Sequence, residues 1–514
     1  MSEKPSFRGF GICMDGSYAH QTDLEALACH IRETCDRDHL DKQNKLTEKL
    51  ILAGHGMGIL GTGMRGTVSD IDPCDLRQAG WGIIFADDPQ SNDLRAQLEP
   101  LLMLRESQVG DNNRFRILIG ELGWKGSSKS FFDLHHIRSG PIEPSKSLPY
   151  YLLLVGNPDQ IPLSFQYRLA IQFAVGRIGF KNIADYGRYA MNVVKAETER
   201  GLKKDCDVAI FAPKNPNDIA TSLVQRYLIE PILEKLKMVD GLSVSTYLEE
   251  KATKSNLGKI LNTKTGARLL FTASHGMVCN PEKGNTLKYQ GALICQDWQG
   301  PGKAVQRFQD VCFSGEDIGE DANLHGLVAF LFTCFGAGCP AQDNYAFLKK
   351  AEHDWAWRGG NYANQDFLTE LPQRLLSQGA LAVVGHVDKA WETSFMEAGG
   401  SRTGDYESLL LDLIKGKPLG LAMEFMNQRY AELGTKLSEE LLLVDGGFRE
   451  DYLALVELWL ARNDARNYII LGDPAVRLQN EMADNLPEGI SWQDWLATPA
   501  AVRDLLTGSR RHEE

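Results

Sequence analysis

The sequence predicts an α/β protein whose mostly parallel sheets are flanked by helices on both faces. Short apolar runs of strand length recur along it, and amphipathic stretches of helical length separate several of them, for example Asp218–Met238 and Tyr452–Asn463. Strands that alternate with helices favour parallel pairing, because each crossover helix covers one face of the sheet. The runs are Trp81–Phe85, Phe115–Ile119, Tyr151–Val155, Val208–Phe211, Leu269–Thr272, Leu327–Thr333, Leu381–Val384 and Tyr468–Leu471.

Length and local composition predict more than one structural unit. At 514 residues the chain exceeds the size at which a single hydrophobic core usually stops growing. The segment Lys125–Pro149 is rich in Ser, Pro and Gly and is predicted to be a loop or a boundary. We therefore expect an N-terminal α/β region over residues 1–140, a larger domain over 149–480 and a C-terminal tail over 481–514.

Charge and cysteine usage narrow the class of protein. A net charge of -13 argues against nucleic acid as a partner, because phosphate backbones are bound through Lys and Arg. No apolar stretch approaches the roughly 20 residues of a membrane helix. The ten cysteines are scattered without a Cys-x-x-Cys pair, and the first residues lack a signal-peptide layout. These features predict reduced thiols in the cytoplasm, with export by a route that has no recognisable signal as the alternative.

The most informative residues end two of the apolar runs. One run ends in His275-Gly276 and the other leads into Cys334. In open α/β sheets ligands bind at the carboxyl ends of the strands, so an imidazole and a thiol are expected at the same rim. An imidazole lowers the thiol pKa and supplies a proton to the leaving amine. Gly276 has no Cβ to keep a substrate carbonyl from its N–H, which is what an oxyanion hole requires.

Further blocks place these two residues in a recognisable order. A strand and Gly-Asp-x-x-x-Ile-Pro-like block comes first, then a Gly-Arg block, the His-Gly and Cys strands, and a Gly-Asp-Pro block. The additional blocks are Tyr151–Pro162, Ala174–Ile178 and Tyr468–Leu478. This order resembles the caspase-like, or clan CD, cysteine peptidases, and within them the gingipain-like family. The resemblance runs from about Pro149 to Leu478 and implies a peptidase domain over 149–480, with Cys334 as nucleophile and His275 as general base.

The resemblance also suggests where a substrate side chain would bind. Trp391 matches the family's pocket wall, and the neighbouring Asp388 could add a negative charge. Asp218 matches loosely the acidic residue of the arginine-specific members, although it also suits a helix N-cap. An acidic pocket would select Arg or Lys before the cleaved bond. Candidates to orient His275 are Asp343, Glu392 and His386.

A glycine-rich segment, Gly54–Gly63, supports a competing interpretation. Its glycines satisfy a dinucleotide fingerprint, but the residues that follow do not open a helix. A tightly turned loop that packs against the catalytic domain is therefore preferred over a nucleotide site. A nucleotide-binding regulatory protein remains one alternative, and a catalytically silent scaffold that binds a partner protein is another.

The sequence thus predicts a cytoplasmic cysteine endopeptidase that forms an acyl-enzyme thioester on Cys334 and cleaves after a basic residue. The expected site comprises His275, Cys334 and Gly276 for catalysis, with Trp391, Asp388 and Asp218 for substrate binding. Neither a metal nor a cofactor is expected for the chemistry. The expected partners are a protein or peptide substrate and a regulatory protein, and residues 1–140 are expected to restrain the site.

Overall fold

The computed structural model describes residues 7–19, 27, 28, 31, 66–119, 128–137, 140–198, 208–262, 267–281, 284–303, 305, 307–320, 322, 324–345, 361–445 and 453–478. The segment Gly54–Gly63 and the tail over 481–514 lie outside these residues. The strands are β1 (Gly11–Cys13), β2 (Trp81–Phe85), β3 (Phe115–Ile119), β4 (Tyr151–Val155), β5 (Ala174–Ile178), β6 (Val208–Ala212), β7 (Val244–Leu248), β8 (Leu269–Ala273), β9 (Gly276–Val278), β10 (Leu293–Ile294), β11 (Cys312–Phe313), β12 (Val328–Phe332), β13 (Gly338–Cys339), β14 (Phe367–Leu368), β15 (Ala382–His386), β16 (Met396–Glu397), β17 (Gly400–Ser401) and β18 (Tyr468–Gly472).

The helices occupy most of the amphipathic stretches between these strands. They are α1 (Leu76–Ala79), α2 (Ser91–Gln97), α3 (Glu99–Val109), α4 (Ser128–Leu134), α5 (Leu163–Leu169), α6 (Ile183–Thr198), α7 (Ile219–Val224), α8 (Glu230–Leu236), α9 (Lys254–Asn262), α10 (Thr286–Tyr289), α11 (Glu370–Ser377), α12 (Gly404–Ile414), α13 (Leu419–Ala422), α14 (Glu424–Asp445) and α15 (Leu453–Arg466). A π-helical turn, Gln225–Ile229, joins α7 to α8. Among the described helices, none combines the length and hydrophobicity needed to cross a bilayer.

One large sheet organises the molecule. Its ten strands follow the order β3-β2-β4-β5-β18-β15-β12-β8-β6-β7. From β15 to β7 every neighbouring pair is parallel, and β18 runs antiparallel to β15. Every residue of β8, β12 and β15 is buried, which explains why these strands are continuous apolar runs without polar alternation. The prediction of a mostly parallel α/β sheet is confirmed.

Helices cover both faces of this sheet. Successive residues of one strand point to opposite faces, and Leu153 and Leu154 of β4 accordingly enter two different apolar clusters. Leu101 of α3 packs into the first cluster, whereas Phe131 of α4 packs into the second. Both faces of the sheet are therefore buried, because each of these helices packs one apolar face against it.

The large sheet continues across the predicted boundary near residues 140–149. Trp81 of β2 pairs with Tyr151 of β4, and the two strands stay in parallel register up to Phe85 and Val155. The Ser-, Pro- and Gly-rich composition of Lys125–Pro149 therefore marks a connection between neighbouring strands, within which helix α4 begins. Strands from both sides of this segment share one sheet.

A second, four-stranded sheet brings the N-terminal segment to the rim that carries His275 and Cys334. Its order is β1-β9-β10-β11. Strand β1 pairs in parallel with β9, with Gly11 opposite Gly276. Because β9 begins at the residue after His275, this pairing places the N-terminal segment beside the two residues that the sequence singles out.

Candidate active site

Four neighbouring parallel strands deliver the candidate residues to one edge of the large sheet. His275 lies two residues beyond β8 and Cys334 two residues beyond β12, in strands whose last residues, Ala273 and Phe332, are directly paired. Asp218 follows β6, and Asp388 follows β15. The carboxyl ends of parallel strands share an edge, so the predicted convergence of imidazole and thiol follows from the pairing.

Gly276 allows the His275 and Cys334 segments to touch through their backbones. A Cβ built on residue 276 would lie 2.2 Å from the carbonyl oxygen of Cys334 and 2.8 Å from Oγ1 of Thr333. No side chain can occupy that space without displacing the backbone of Cys334. The glycine after the histidine is therefore required by the close approach of the two segments.

Asp218 holds the imidazole of His275. Nε2 of His275 lies 2.8 Å from Oδ2 of Asp218, and both side chains are fully buried. Nδ1 of His275 is also buried and has no hydrogen-bond partner among the described residues. A carboxylate on Nε2 fixes the ring and leaves Nδ1 as the nitrogen that can exchange a proton with a neighbouring group.

The carboxylate of Asp218 has further partners that keep it ionised. It accepts hydrogen bonds from the Thr221 N–H, at 3.1 Å, and from the Tyr18 hydroxyl, at 2.6 Å. Burial alone would raise the pKa of Asp218, but the charge of His275 and these hydrogen bonds outweigh it and hold the pKa well below its ordinary value. Asp218 is thus both the N-cap of α7 and the partner of His275.

The three orienting candidates from the sequence bind elsewhere. Asp343 pairs with Lys389, and His386 lies between backbone oxygens of Asp388 and Asp464. Glu392 lies 3.6 Å from Arg8. Sequence reasoning assigned Asp218 to substrate binding, with a helix N-cap as the alternative, and missed its contact with His275, because that contact depends on where the loop after β6 turns.

Cys334 is fully buried at the centre of this edge. The Ala390 N–H donates to its Sγ at 3.2 Å. Burial raises the pKa of the Cys334 thiol to about 12, even though that N–H and the charge of Lys389 act in the opposite direction. The next residue, Phe335, has a φ of 58°, a left-handed conformation that costs about 1–3 kcal/mol in a non-glycine residue.

The segment Arg8–Phe10 lies across the rim and pairs with Ala390–Glu392 through its backbone. The Phe10 N–H donates to the Ala390 carbonyl at 3.0 Å, and the Glu392 N–H donates to the Arg8 carbonyl at 3.0 Å. Gly9 forms an antiparallel bridge with Trp391. Beyond these pairs, the Gly276 N–H donates to the Phe10 carbonyl at 2.8 Å. A peptide carbonyl therefore already occupies the predicted oxyanion donor.

The side chain of Phe10 fills an aromatic recess and is completely buried. Its ring centroid lies 5.1 Å from that of Phe332, two residues before the thiol, and 5.9 Å from that of Phe395. The ring of His275 lies 5.5 Å away. Sequence reasoning missed this segment, since Arg8–Phe10 carries no motif and its pairing is entirely long-range.

The predicted substrate-binding residues are placed as follows. The centroids of the Trp391 and Tyr345 rings lie 5.0 Å apart, and a Cβ built on Gly9 would lie 3.4 Å from the Trp391 ring. The Asp388 carboxylate accepts from the Lys389 N–H at 2.8 Å and from the Asn344 side chain at 2.7 Å. With Asp218 bound to His275, both carboxylates of the expected acidic pocket are engaged inside the protein.

Comparison with known proteins gives structural matches only. No protein-family model matches the sequence, and no curated protein matches it. The arginine-specific cysteine proteinase gingipain R is 11% identical, with 79% of each chain covered and a TM-score of 0.42. The complex of the pro- and mature domains of RgpB from Porphyromonas gingivalis is 12% identical, covering 78% of this chain and 80% of that one, with a TM-score of 0.42. The Saccharomyces cerevisiae separase–securin complex is 12% identical, covering 63% of this chain and 16% of that one, with a TM-score of 0.31.

Gingipains are the family that the sequence motifs resemble. Likeness at this level carries no argument about catalysis. The contacts of His275, Cys334 and the segment Arg8–Phe10 are the features of the molecule that bear on its function.

Proposed function

We propose that the protein is a cysteine endopeptidase in which Cys334 is the nucleophile and His275 is the general base and acid. The observation that carries this proposal is the hydrogen bond from the Gly276 N–H to a peptide carbonyl, that of Phe10. The same peptide pairs antiparallel with Ala390–Glu392. Backbone pairing with an exposed strand is a general way to bind extended peptides, and a carbonyl on a backbone N–H is what acyl transfer requires.

The reaction uses the groups on this edge in sequence. A substrate carbonyl accepts a hydrogen bond from the Gly276 N–H, and the Cys334 sulfur attacks its carbon while the thiol proton passes to His275. The imidazolium, stabilised by Asp218, then protonates the leaving amine as the peptide bond breaks. Water, deprotonated by His275, hydrolyses the thioester and releases the acid product.

The N-terminal segment beside Cys334 supports the regulatory role expected of residues 1–140. Strand β1 and the residues before it cover Cys334, and burial raises the pKa of that thiol to about 12. A thiol with such a pKa is almost entirely protonated at neutral pH and is a poor nucleophile. We propose that this segment keeps the enzyme latent until a protein partner or a substrate displaces it. The seven described cysteines are free thiols, which suits the proposed cytoplasmic setting.

The contacts of Asp218 and Asp388 do not support cleavage after a basic residue. That prediction needs a carboxylate able to bind an incoming guanidinium, and those of Asp218 and Asp388 are committed to His275 and to Asn344. The remaining argument is the net charge of -13, which favours cationic substrates only in a general way.

The test is hydrolysis of a mixed peptide library, read by mass spectrometry. The full chain and its Phe10→Ala variant are compared with Cys334→Ala and His275→Ala in the same Phe10→Ala background, and Cys339→Ala is the matched control. We expect the Phe10→Ala protein to cut peptides, the Cys339→Ala control to retain this activity, and both catalytic variants to lose it. Cleavage that survives Cys334→Ala would contradict the mechanism. A folded protein that cuts nothing would favour the silent scaffold.

A further inference from the structure

The segment that covers the active site is positioned as a substrate would be, so its side chains describe the pockets that they occupy. This inference rests on the proposed peptidase function, because it assigns Phe10 to the position before the cleaved bond. Three backbone hydrogen bonds set that register: Phe10 N–H to Ala390, Glu392 N–H to Arg8, and Gly276 N–H to the Phe10 carbonyl. The carbonyl on the oxyanion donor belongs to Phe10, so we assign Phe10–Gly11 to the position of the cleaved bond.

The recess that holds Phe10 is apolar. It is formed by the rings of Phe332 and Phe395, with the imidazole of His275 on a third side. Phe10 is fully buried there. An aromatic ring gains from burial and from tilted or edge-on ring contacts, whereas a guanidinium or a carboxylate would lose its hydration without meeting a counter-charge.

The position after the cleaved bond is narrow. A Cβ on Gly11 would lie 3.0 Å from Cγ2 of Val278, 3.2 Å from Cβ of Ala19 and 3.7 Å from Sγ of Cys334. The distance to Val278 is shorter than an ordinary van der Waals contact between carbon atoms, whereas Ala19 belongs to the same N-terminal segment as Gly11 and is not part of the cleft wall. Only a small residue fits at this position while its neighbour keeps the observed backbone register.

The geometry points to a peptidase that accepts an aromatic or large apolar residue before the cleaved bond and a small residue after it, with Phe10–Gly11 as an internal occupant of the same pockets. Arg8 adds a contact two residues before Phe10, where it lies 3.6 Å from Glu392. The substrate class is therefore an extended peptide of the pattern Arg-x-Phe-Gly. Selection for a basic residue would act at the position of Arg8, and the position of Phe10 would select an aromatic ring.

The first arm of the test measures whether the segment occupies the cleft. The rate at which iodoacetamide alkylates Cys334 is followed by mass spectrometry in the full chain and in its Phe10→Ala variant. We expect alkylation to be at least about tenfold faster in the variant, since thiol exposure and ionisation set the rate. Phe425→Ala is the matched control, because it makes the same change at an exposed position of α14. Gly11→Val, which crowds Val278, opens the cleft independently should Phe10→Ala not fold.

The second arm measures which side chain the pocket accepts. In whichever variant is folded and opened, the peptides acetyl-Arg-Gly-Phe-Gly-amide, acetyl-Arg-Gly-Arg-Gly-amide and acetyl-Arg-Gly-Asp-Gly-amide compete with iodoacetamide for Cys334. Initial alkylation rates are used, so that the result does not depend on turnover. We expect the Phe peptide to protect at a concentration at least about tenfold lower than the other two, a ratio within the range of pocket discrimination.

The outcomes separate this inference from the peptidase proposal. Equal or better protection by the Arg or Asp peptide overturns the aromatic pocket, even if peptides are cut. Equal alkylation of the full chain and both opened variants overturns the occupancy of the cleft. Protection by the Phe peptide with no cleavage of any peptide supports the aromatic pocket and contradicts the peptidase.

Discussion

The two opposite edges of the large sheet each bury an aspartate against a basic side chain. The two sites differ in how many of their buried hydrogen-bonding groups have a partner. At the end of β18, Asp473 accepts from Arg105, at 2.7 Å, and from the Trp81 indole, at 3.0 Å, and the other end of the Arg105 guanidinium is bound by Glu197. At the other edge Asp218 accepts from Thr221 and Tyr18 and contacts Nε2 of His275, but Nδ1 of His275 has no partner among the described residues.

The difference separates a fully paired, structural network from the site to which we assign the proposed reaction. A buried polar cluster in which each charge is paired fixes the elements that carry it, here α3, α6 and the residue after β18. A buried nitrogen without a partner costs free energy, so its retention calls for a functional explanation. Placed beside the strand that carries Cys334, the open Nδ1 is suited to receive a proton. The variants below should therefore separate loss of activity from loss of stability.

The largest effect is expected from removal of the nucleophile. Cys334→Ala, in the opened Phe10→Ala background, should lower kcat/KM on an Arg-Gly-Phe coumarin amide by at least about a thousandfold, because covalent catalysis is lost. The unfolding midpoint should stay close to that of the parent, since a buried alanine replaces a small side chain. A similar loss of turnover in Cys339→Ala would argue that the thiols act only through packing.

The opposite edge should give the reverse result. Arg105→Met removes the cation from a site where all three charged side chains are almost fully buried, leaving Glu197 and Asp473 without it. We expect a loss of about 3–5 kcal/mol in the free energy of unfolding, measured by urea denaturation, with unchanged turnover by the protein that remains folded. Arg77→Met, which breaks an exposed pair with Asp75, is the control and should cost less than about 1 kcal/mol. Equal costs for both variants would remove the structural role of the buried network.

The contrast between the edges also marks what sequence could predict. Strands β8 and β12 are continuous apolar runs because both faces are buried, so their ends, and with them His275 and Cys334, could be located from residue pattern alone. The pairing of Arg8–Phe10 with Ala390–Glu392 could not be predicted, because the two segments are far apart in sequence and neither is patterned. The pairing of β2 with β4 across residues 140–149 could not be predicted either, because loop composition does not reveal which strands are neighbours.

The third prediction tests Asp218 as a positioning residue. Asp218→Asn keeps an oxygen to cap α7 but removes the negative charge that stabilises the imidazolium. We expect kcat on the same coumarin amide to fall about a hundredfold, with a smaller change in KM, because the charge matters most as the proton is transferred. Asp218→Glu should restore part of the rate, whereas a purely structural role would make it as harmful as Asn or worse.

Asp218 also predicts a dependence of stability on pH. Its folded pKa lies below the ordinary value of about 3.9, so its contribution is complete above that pH and is lost as pH falls through the folded pKa. Urea midpoints measured at successively lower pH, beginning above 4, should therefore fall less steeply for Asp218→Asn than for the parent protein. Parallel curves would mean that the carboxylate is not stabilised in the folded state.

The smallest effect concerns a second buried histidine whose two ring nitrogens are both engaged. Nδ1 of His386 lies 2.8 Å from the Asp388 carbonyl and Nε2 lies 3.0 Å from that of Asp464. Burial lowers the pKa of His386, but the hydrogen bond and charge of Asp464 outweigh it, so the pKa is raised above the ordinary value of 6.5. Stability from this group is therefore complete below about pH 6.5 and is lost as pH rises through the folded pKa.

His386→Gln should remove this dependence while leaving peptide turnover unchanged, because the ring holds backbone and touches neither His275 nor Cys334 in the described contacts. Urea midpoints across the neutral range should decline with rising pH in the parent and stay flatter in the variant. The decline should be small beside the effect of Arg105→Met, since one proton on one ring is involved. A change in the pH profile of turnover would instead mean that His386 takes part in the proton transfer. It would also contradict the interpretation that a histidine with both nitrogens hydrogen-bonded is structural.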